Sequence, residues 1–255
     1  MSVLEISQPN PHILWAEINR PASGNAINFE VMDALDELTL QLNDNEDIRV
    51  FVLSAKGHKF FASGGDLKEF TVLKSEADAA KMSKKMGRIL ERIETADCFT
   101  IACVNGDAYG GGCEILLAFD FRIAVKHARF GFTQTKFYLP PGWGGLTRLV
   151  ERVGTSTALL WLGSRQLVDS EMAIMSGLID EIHGSDTLKS SVLELSEKLA
   201  SNDRRMIKTL KKGASEAGRL SHKDSIKMER ISFARLWADE EHHSRVEEFL
   251  GRKKE

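Results

Sequence analysis

Two short glycine clusters constrain this chain more than any other feature. Ser63-Gly64-Gly65 comes after an apolar run, Val50 to Leu53, and Gly110-Gly111-Gly112 after another, Phe99 to Val104. Each cluster then opens a helical pattern, and a strand that turns through glycines into a helix is the repeating joint of an α/β layer. The flanking residues agree. Ile13 to Ile18 and Phe121 to Val125 read as further strands, and Phe29 to Leu42 places Val31, Met32, Leu35, Leu38 and Leu42 at helical spacing. An amphipathic stretch runs from about Ser75 to Ile93. Up to about Gly145 the order is strand, helix, strand, helix, which predicts parallel strands.

Beyond Gly145 the strand signals nearly vanish. Leu146 to Leu162, Ser170 to Ser176, Asp186 to Ala200, Asp203 to Gly213 and His222 to Leu250 read as helices, interrupted only by Leu178 to Ile182. Two parts are therefore expected: residues 1–190 as an α/β core carrying the site, and 191–255 as a helical C-terminal part.

The joints are also where chemistry is expected. Backbone N–H groups at a helix start lack intrahelical partners and suit an anion or a developing oxyanion. Small residues at Ser63, Gly64 and Gly65 let a ligand approach that backbone, although a plain glycine turn with Asp66 as helix cap fits the same residues. In the second joint Glu114 falls in the first turn of an apolar helix, among Cys113, Ile115, Leu116 and Leu117. An acid there is ordinarily a surface dipole partner. Held among apolar side chains instead, its pKa rises and it becomes a candidate acid or base. Two facing N–H donors with such a carboxylate would stabilise an enolate beside a thioester or similar carbonyl.

Composition narrows the classes. With 34 basic and 37 acidic side chains and a formal charge of −3, the chain is not the strongly basic type expected of a nucleic-acid binder. No apolar run approaches the ~20 residues of a membrane span, and the opening MSVLEISQPNPHILWAEINRP carries no secretory pattern. Cys98, Cys103 and Cys113 match no disulfide framework or zinc spacing and read as reduced thiols, so a cytoplasmic location is expected. His242 and His243 point ~100° apart on a helix and do not converge on one ion, so no metal is expected.

Taken in order, these segments resemble the crotonase, or enoyl-CoA hydratase/isomerase, superfamily over nearly the whole chain. Asn19-Arg20-Pro21 with Asn25-Ala26-Ile27-Asn28 is similar to the family's opening motif. FFASGGDLKEF (60–70) resembles its first oxyanion loop, and VNGDAYGGGCE (104–114) its second. Pro140 to Gly154 and Gly177 to Ile182 resemble later segments, and FARLWADEEHHSRVEEFLGRKK (233–254) its C-terminal helix. The resemblance implies a spiral of ββα turns with a helical C-terminal trimerisation part, as a homotrimer or dimer of trimers. It implies an acyl-CoA thioester whose carbonyl oxygen is held by the N–H groups of Gly65 and Gly111, with Ala62 and Ser63 along the adenine edge. Gly64, Asp66, Leu67 and Trp143 would lie against CoA or the acyl group. No cofactor is implied beyond the CoA of the substrate, and neither a nucleic acid nor a membrane is expected as partner.

Glu114 matches the first of the family's two catalytic glutamates. Counting back from Pro141-Gly142, the second position is Gln134, which exchanges no proton at neutral pH but still orients a water. Hydration, double-bond isomerisation and decarboxylation of a methylmalonyl- or ethylmalonyl-type thioester therefore stay open. Trp143 resembles the ethylmalonyl-CoA decarboxylase branch, and a non-catalytic acyl-CoA-binding protein is the alternative from another class. His58, Lys136, Tyr138, Lys68 and Glu69 are expected on the surface, and Phe233 and Trp237 packed on a neighbour. The cluster Arg204-Arg205, Lys208 and Lys211-Lys212 reads as a solvated face or a CoA-phosphate contact.

Overall fold

A computed structural model describes residues 2–251; Met1 and residues 252–255, which include the end of the C-terminal motif, lie outside the described residues. Two compact units divide after Arg204. This is later than the expected boundary at 190/191, because the helix Leu188–Ala200 lies across the sheet of the first unit and buries Leu188, Val192, Ser196 and Ala200 there.

The first unit opens with β1 (Leu4–Asn10), β2 (Ile13–Ile18) and α1 (Phe29–Asp44). Three strand–strand–helix turns follow. The first is β3 (Val50–Ala55), β4 (Phe60–Ala62), the short α2 (Leu67–Phe70) and α3 (Glu76–Glu94). The second is β5 (Phe99–Val104), β6 (Asp107–Tyr109) and α4 (Gly111–Leu116). The third is β7 (Phe121–Val125), β8 (Arg129–Gly131), a 3-10 turn at Gln134–Phe137, and α5 (Gly145–Val153). Then come α6 (Thr155–Ser164), β9 (Leu167–Asp169), α7 (Ser170–Met175), β10 (Glu181–His183) and α8 (Leu188–Ala200).

Each turn sends its first strand to one sheet and its second to another. The larger sheet runs β1-β2-β3-β5-β7-β10 and the smaller β4-β6-β8-β9. Apart from the antiparallel β1–β2 and β8–β9 pairs, all pairings are parallel. β3 and β5 are buried along their whole length, as parallel strands covered on both faces should be. This is the spiral of ββα turns that the resemblance implies.

Local chemistry sets the helix starts. Asn28 caps α1 by accepting from Val31 N (3.0 Å), and Ser75 caps α3 by accepting from Asp78 N (3.1 Å). The expected helix Leu146–Leu162 is two helices, broken where Gly154 sits at φ 79°. The expected strand Leu178–Ile182 shrinks and shifts to Glu181–His183.

The second unit holds most of α9 (Arg204–Arg219), then α10 (His222–Trp237) and α11 (Glu240–Gly251). The predicted single helix His222–Leu250 breaks at Ala238-Asp239. Phe233 and Trp237 meet at a tilt with ring centroids 5.4 Å apart, Trp237 also lies 4.6 Å from the His242 ring, and the two stay 63% and 54% exposed. The basic cluster is largely paired: Arg204 donates to main-chain oxygens at the end of α1, including Leu42 O (2.7 Å), and Arg205 pairs with Asp239 (2.8 Å).

Candidate active site

Strand register in the smaller sheet brings the joints together. β4 and β6 run parallel with Ala62 opposite Ala108, so the residues leaving both strands emerge side by side. A Cβ built on Gly64 would lie 3.2 Å from Tyr109 O and 3.7 Å from Gly111 N. One on Gly112 would strike Ala62 O at 2.2 Å, so only glycine lets α4 start this close to β4. β8 lies parallel on the other side of β6, Gly131 opposite Tyr109, and delivers Gln134 to the same edge. Parallel strands thus present three consecutive exits at their C-terminal ends, where ligands bind in open α/β sheets.

The first exit is tied down from below. Asp66 caps α2, and its Oδ2 accepts from Arg20 Nη1 at 3.0 Å. Burial works to raise its pKa, but the Arg20 hydrogen bond and the Glu69 and Lys68 N–H groups hold it below the usual carboxylate range. Glu69, expected on the surface, is half-buried: it accepts from Asn28 Nδ2 (2.8 Å) and Phe29 N (3.3 Å) and so locks α2 onto α1. The second exit is braced by Asp107, which accepts from Arg129 N and Nη2 (both 2.9 Å) and from Tyr109 Oη (2.6 Å). Among the described residues neither Gly65 N nor Gly111 N donates a hydrogen bond within the chain.

Glu114 is 2% exposed. Its Oε1 accepts from Gln134 Nε2 (3.0 Å) and Gly142 N (3.3 Å), its Oε2 from Trp143 N (2.7 Å) and Gly145 N (3.0 Å). The carboxylate therefore sits at the N-terminus of α5 inside a cradle of three main-chain amides and one side-chain amide. Burial raises its pKa more than these four donors lower it, so it stands above an ordinary glutamate. Gln134 Oε1 is buried and has no hydrogen-bond partner among the described residues. Trp143 joins the two halves of the site. Its N–H holds Glu114, and its indole covers Gly111 so closely that a Cβ there would lie 2.2 Å from the ring.

Of the residues singled out from sequence, Gly64, Gly111, Glu114, Gln134 and Trp143 converge directly, and Gly65 stands beside Gly64 in the same joint. Ala62 is fully buried against Gly112, Ser63 is half-buried and Leu67 half-exposed. Tyr138 is 99% exposed and, with Lys136 and His58, stands on the surface as expected. Sequence reasoning missed the amides of Gly142, Trp143 and Gly145, since main-chain donors leave no side-chain signature. The glycine density of Gly142-Trp143-Gly144-Gly145 was the available sign. Among the described residues no His, Cys, Asp and Glu cluster could hold a metal, and no helix is long and apolar enough to cross a membrane.

Comparison with known proteins gives the same answer throughout. The profile described as enoyl-CoA hydratase/isomerase matches residues 9–255. The 2,3-dehydroadipyl-CoA hydratase of Escherichia coli K12 is 31% identical over 252 residues, 98% of this chain and 96% of that protein. The short-chain-enoyl-CoA hydratase of Clostridium acetobutylicum is 27% identical over 237 residues, 93% of this chain and 90% of its own. Among solved structures, an enoyl-CoA hydratase from Bacillus anthracis superposes with a TM-score of 0.93 at 26% identity, covering 98% of this chain and 96% of that one.

Proposed function

This chain belongs to the enoyl-CoA hydratase/isomerase family, and from that premise we propose that its glycine joints hold the thioester oxygen of an acyl-CoA while Glu114 moves protons at the adjacent carbons. It is an acyl-CoA-transforming enzyme of the hydratase/isomerase type. The observation that carries the finer reading is a buried, raised-pKa carboxylate beside two unengaged amides, Gly65 N–H and Gly111 N–H. These amides meet negative charge as it develops on the thioester oxygen, the largest single contribution expected in enolate chemistry.

Hydration of a 2-enoyl thioester then runs on one carboxylate. Glu114 takes a proton from water as the oxygen bonds to the β-carbon, and the electron pair moves onto the thioester oxygen as an enolate. Glu114 returns that proton to the α-carbon, and the C=O re-forms. Gln134 positions the parts: Nε2 holds Glu114 Oε1, and the partnerless Oε1 accepts the other hydrogen of the attacking water. All four lone-pair positions of Glu114 are engaged, so the long Gly142 contact (3.3 Å) is the one that yields to the incoming proton. Decarboxylation of a malonyl-type thioester is the second reading, favoured by the amide at position 134, because it needs the enolate holder and a single proton donor. No cofactor beyond the CoA of the substrate enters either route. Cys98, Cys103 and Cys113 are buried outside any disulfide, which supports a reducing, cytoplasmic location.

A mass-resolved time course on crotonyl-CoA, a 3-enoyl-CoA, methylmalonyl-CoA and ethylmalonyl-CoA tests this. Gain of water on crotonyl-CoA supports the first reading. Loss of CO₂ with crotonyl-CoA untouched replaces it by the second, and binding of all four without turnover removes the enzymatic role.

A further inference from the structure

The 142–145 loop has a single side chain, Trp143, with which to fix its own shape. It has glycine at 142, 144 and 145, follows Pro140-Pro141, and passes through φ 87° at Gly144. Its three amides nevertheless meet both oxygens of Glu114. The anchors come from outside, and all of them lead to α3. Arg148 Nη1 donates to Trp143 O (3.1 Å), while its Nε and Nη2 donate to Glu94 Oε2 (3.2 and 2.9 Å). Trp143 Nε1 donates to Met82 Sδ (3.2 Å), and Ser83 Oγ donates to Gly142 O. Arg148 lies so tightly against the loop that a Cβ on Gly144 would come within 2.7 Å of Nη1. Trp143 is thus held on both sides of its Cα, its N–H on Glu114 and its carbonyl on Arg148.

We propose that the Arg148–Glu94 pair positions this loop against Glu114 and thereby sets the pH at which Glu114 gains its proton. The proposal rests on Glu114 being the acid/base. Arg148 touches no reacting atom; it is a positioning residue acting through Trp143.

The physical link is direct. Main-chain N–H donors favour the ionised carboxylate, so a loosened loop lets burial push the Glu114 pKa further up. Few other groups compete for control. Cys113, its chain neighbour, is a buried thiol held far above its usual range and stays neutral. β4 presents no charged side chain, and Asp107 of β6 is taken by Arg129 and Tyr109. The 3-10 turn meets Glu114 with the neutral Gln134 amide, while its one charged residue, Lys136, is exposed. On α5 the charge joined to the loop is Arg148 itself.

The test is the pH dependence of kcat/KM, on whichever thioester the full-length protein turns over, for the wild type, Arg148→Ala, Arg148→Lys, Glu94→Gln and Glu114→Gln. Loss of the equivalent of one charge-assisted hydrogen bond moves the acid limb up by about one pH unit. Arg148→Ala should show that shift, Arg148→Lys a smaller one, and Glu94→Gln a smaller one in the same direction. An acid limb in Arg148→Ala that stays at the wild-type pH, whatever the loss of rate, overturns the proposal. If that variant fails to fold, an unmoved limb in Glu94→Gln overturns it equally. Wild-type turnover by Glu114→Gln would instead remove the premise about Glu114, a failure distinct from an unmoved limb.

Discussion

At Glu114 burial and hydrogen bonding pull in opposite directions, and burial prevails. A carboxylate whose pKa is raised on folding binds its proton more tightly in the native state. Its contribution to stability is therefore fullest below the unfolded pKa and is lost as pH rises through the folded one. Activity that uses the ionised form should have the opposite slope. We expect kcat/KM to fall on acidification at a pH above the ordinary glutamate value of about 4.3, and Glu114→Gln to lower kcat by about 10²- to 10⁴-fold with acyl-CoA binding retained. Two neighbouring glycines make a sharper pair. A Cβ on Gly145 would lie 2.4 Å from Glu114 Cγ, whereas one on Gly142 meets nothing within 4 Å. Gly145→Ala should displace the carboxylate and cost most of the activity, and Gly142→Ala should leave it near wild type. Equal losses in steady-state assays of the two would contradict the cradle.

Among the elements, the anchoring of the first exit through Asp66 depends on charge. Arg20 and the N–H groups of Glu69 and Lys68 depress the Asp66 pKa, so this stabilisation is present above the unfolded pKa and is lost as pH falls through the folded one. Asp66→Asn should lower stability by about 1 kcal/mol at pH 7, with the gap closing in acid; urea titrations at several pH values would measure it. How far such elements are legible in sequence follows from their physics. β2, β3, β5 and β7 were readable because buried strands are mostly apolar runs, and α1 and α3 because one face is apolar and Asn28 and Ser75 cap them. β1 was not, since only Leu4 along it is buried. The smaller sheet was not, because strands of three residues carry no periodicity. In the site, the glycine joints and Glu114 stood out, while the roles of Arg20, Glu69 and Arg148 depend on partners 46, 41 and 54 positions away.

For the whole molecule, the second unit leaves Ile231, Phe233, Trp237, Phe249 and Leu250 more than half exposed. Apolar surface of this extent is what a subunit interface would cover, in keeping with the homotrimer or dimer of trimers that the resemblance implies. Sedimentation should give a trimer or a multiple of it, and Phe233→Glu with Trp237→Glu should yield smaller species; an unchanged distribution would place the interface elsewhere. The layout of the spiral bears on how such an enzyme changes its chemistry. Two exits of the smaller sheet supply amides, and the third, after β8, supplies the side chain at position 134. Since each exit belongs to its own turn, position 134 in the third is able to change through selection while the other two, and the 142–145 cradle of Glu114, keep their function. A lineage built this way is able to acquire a new reaction without relearning how to hold an enolate.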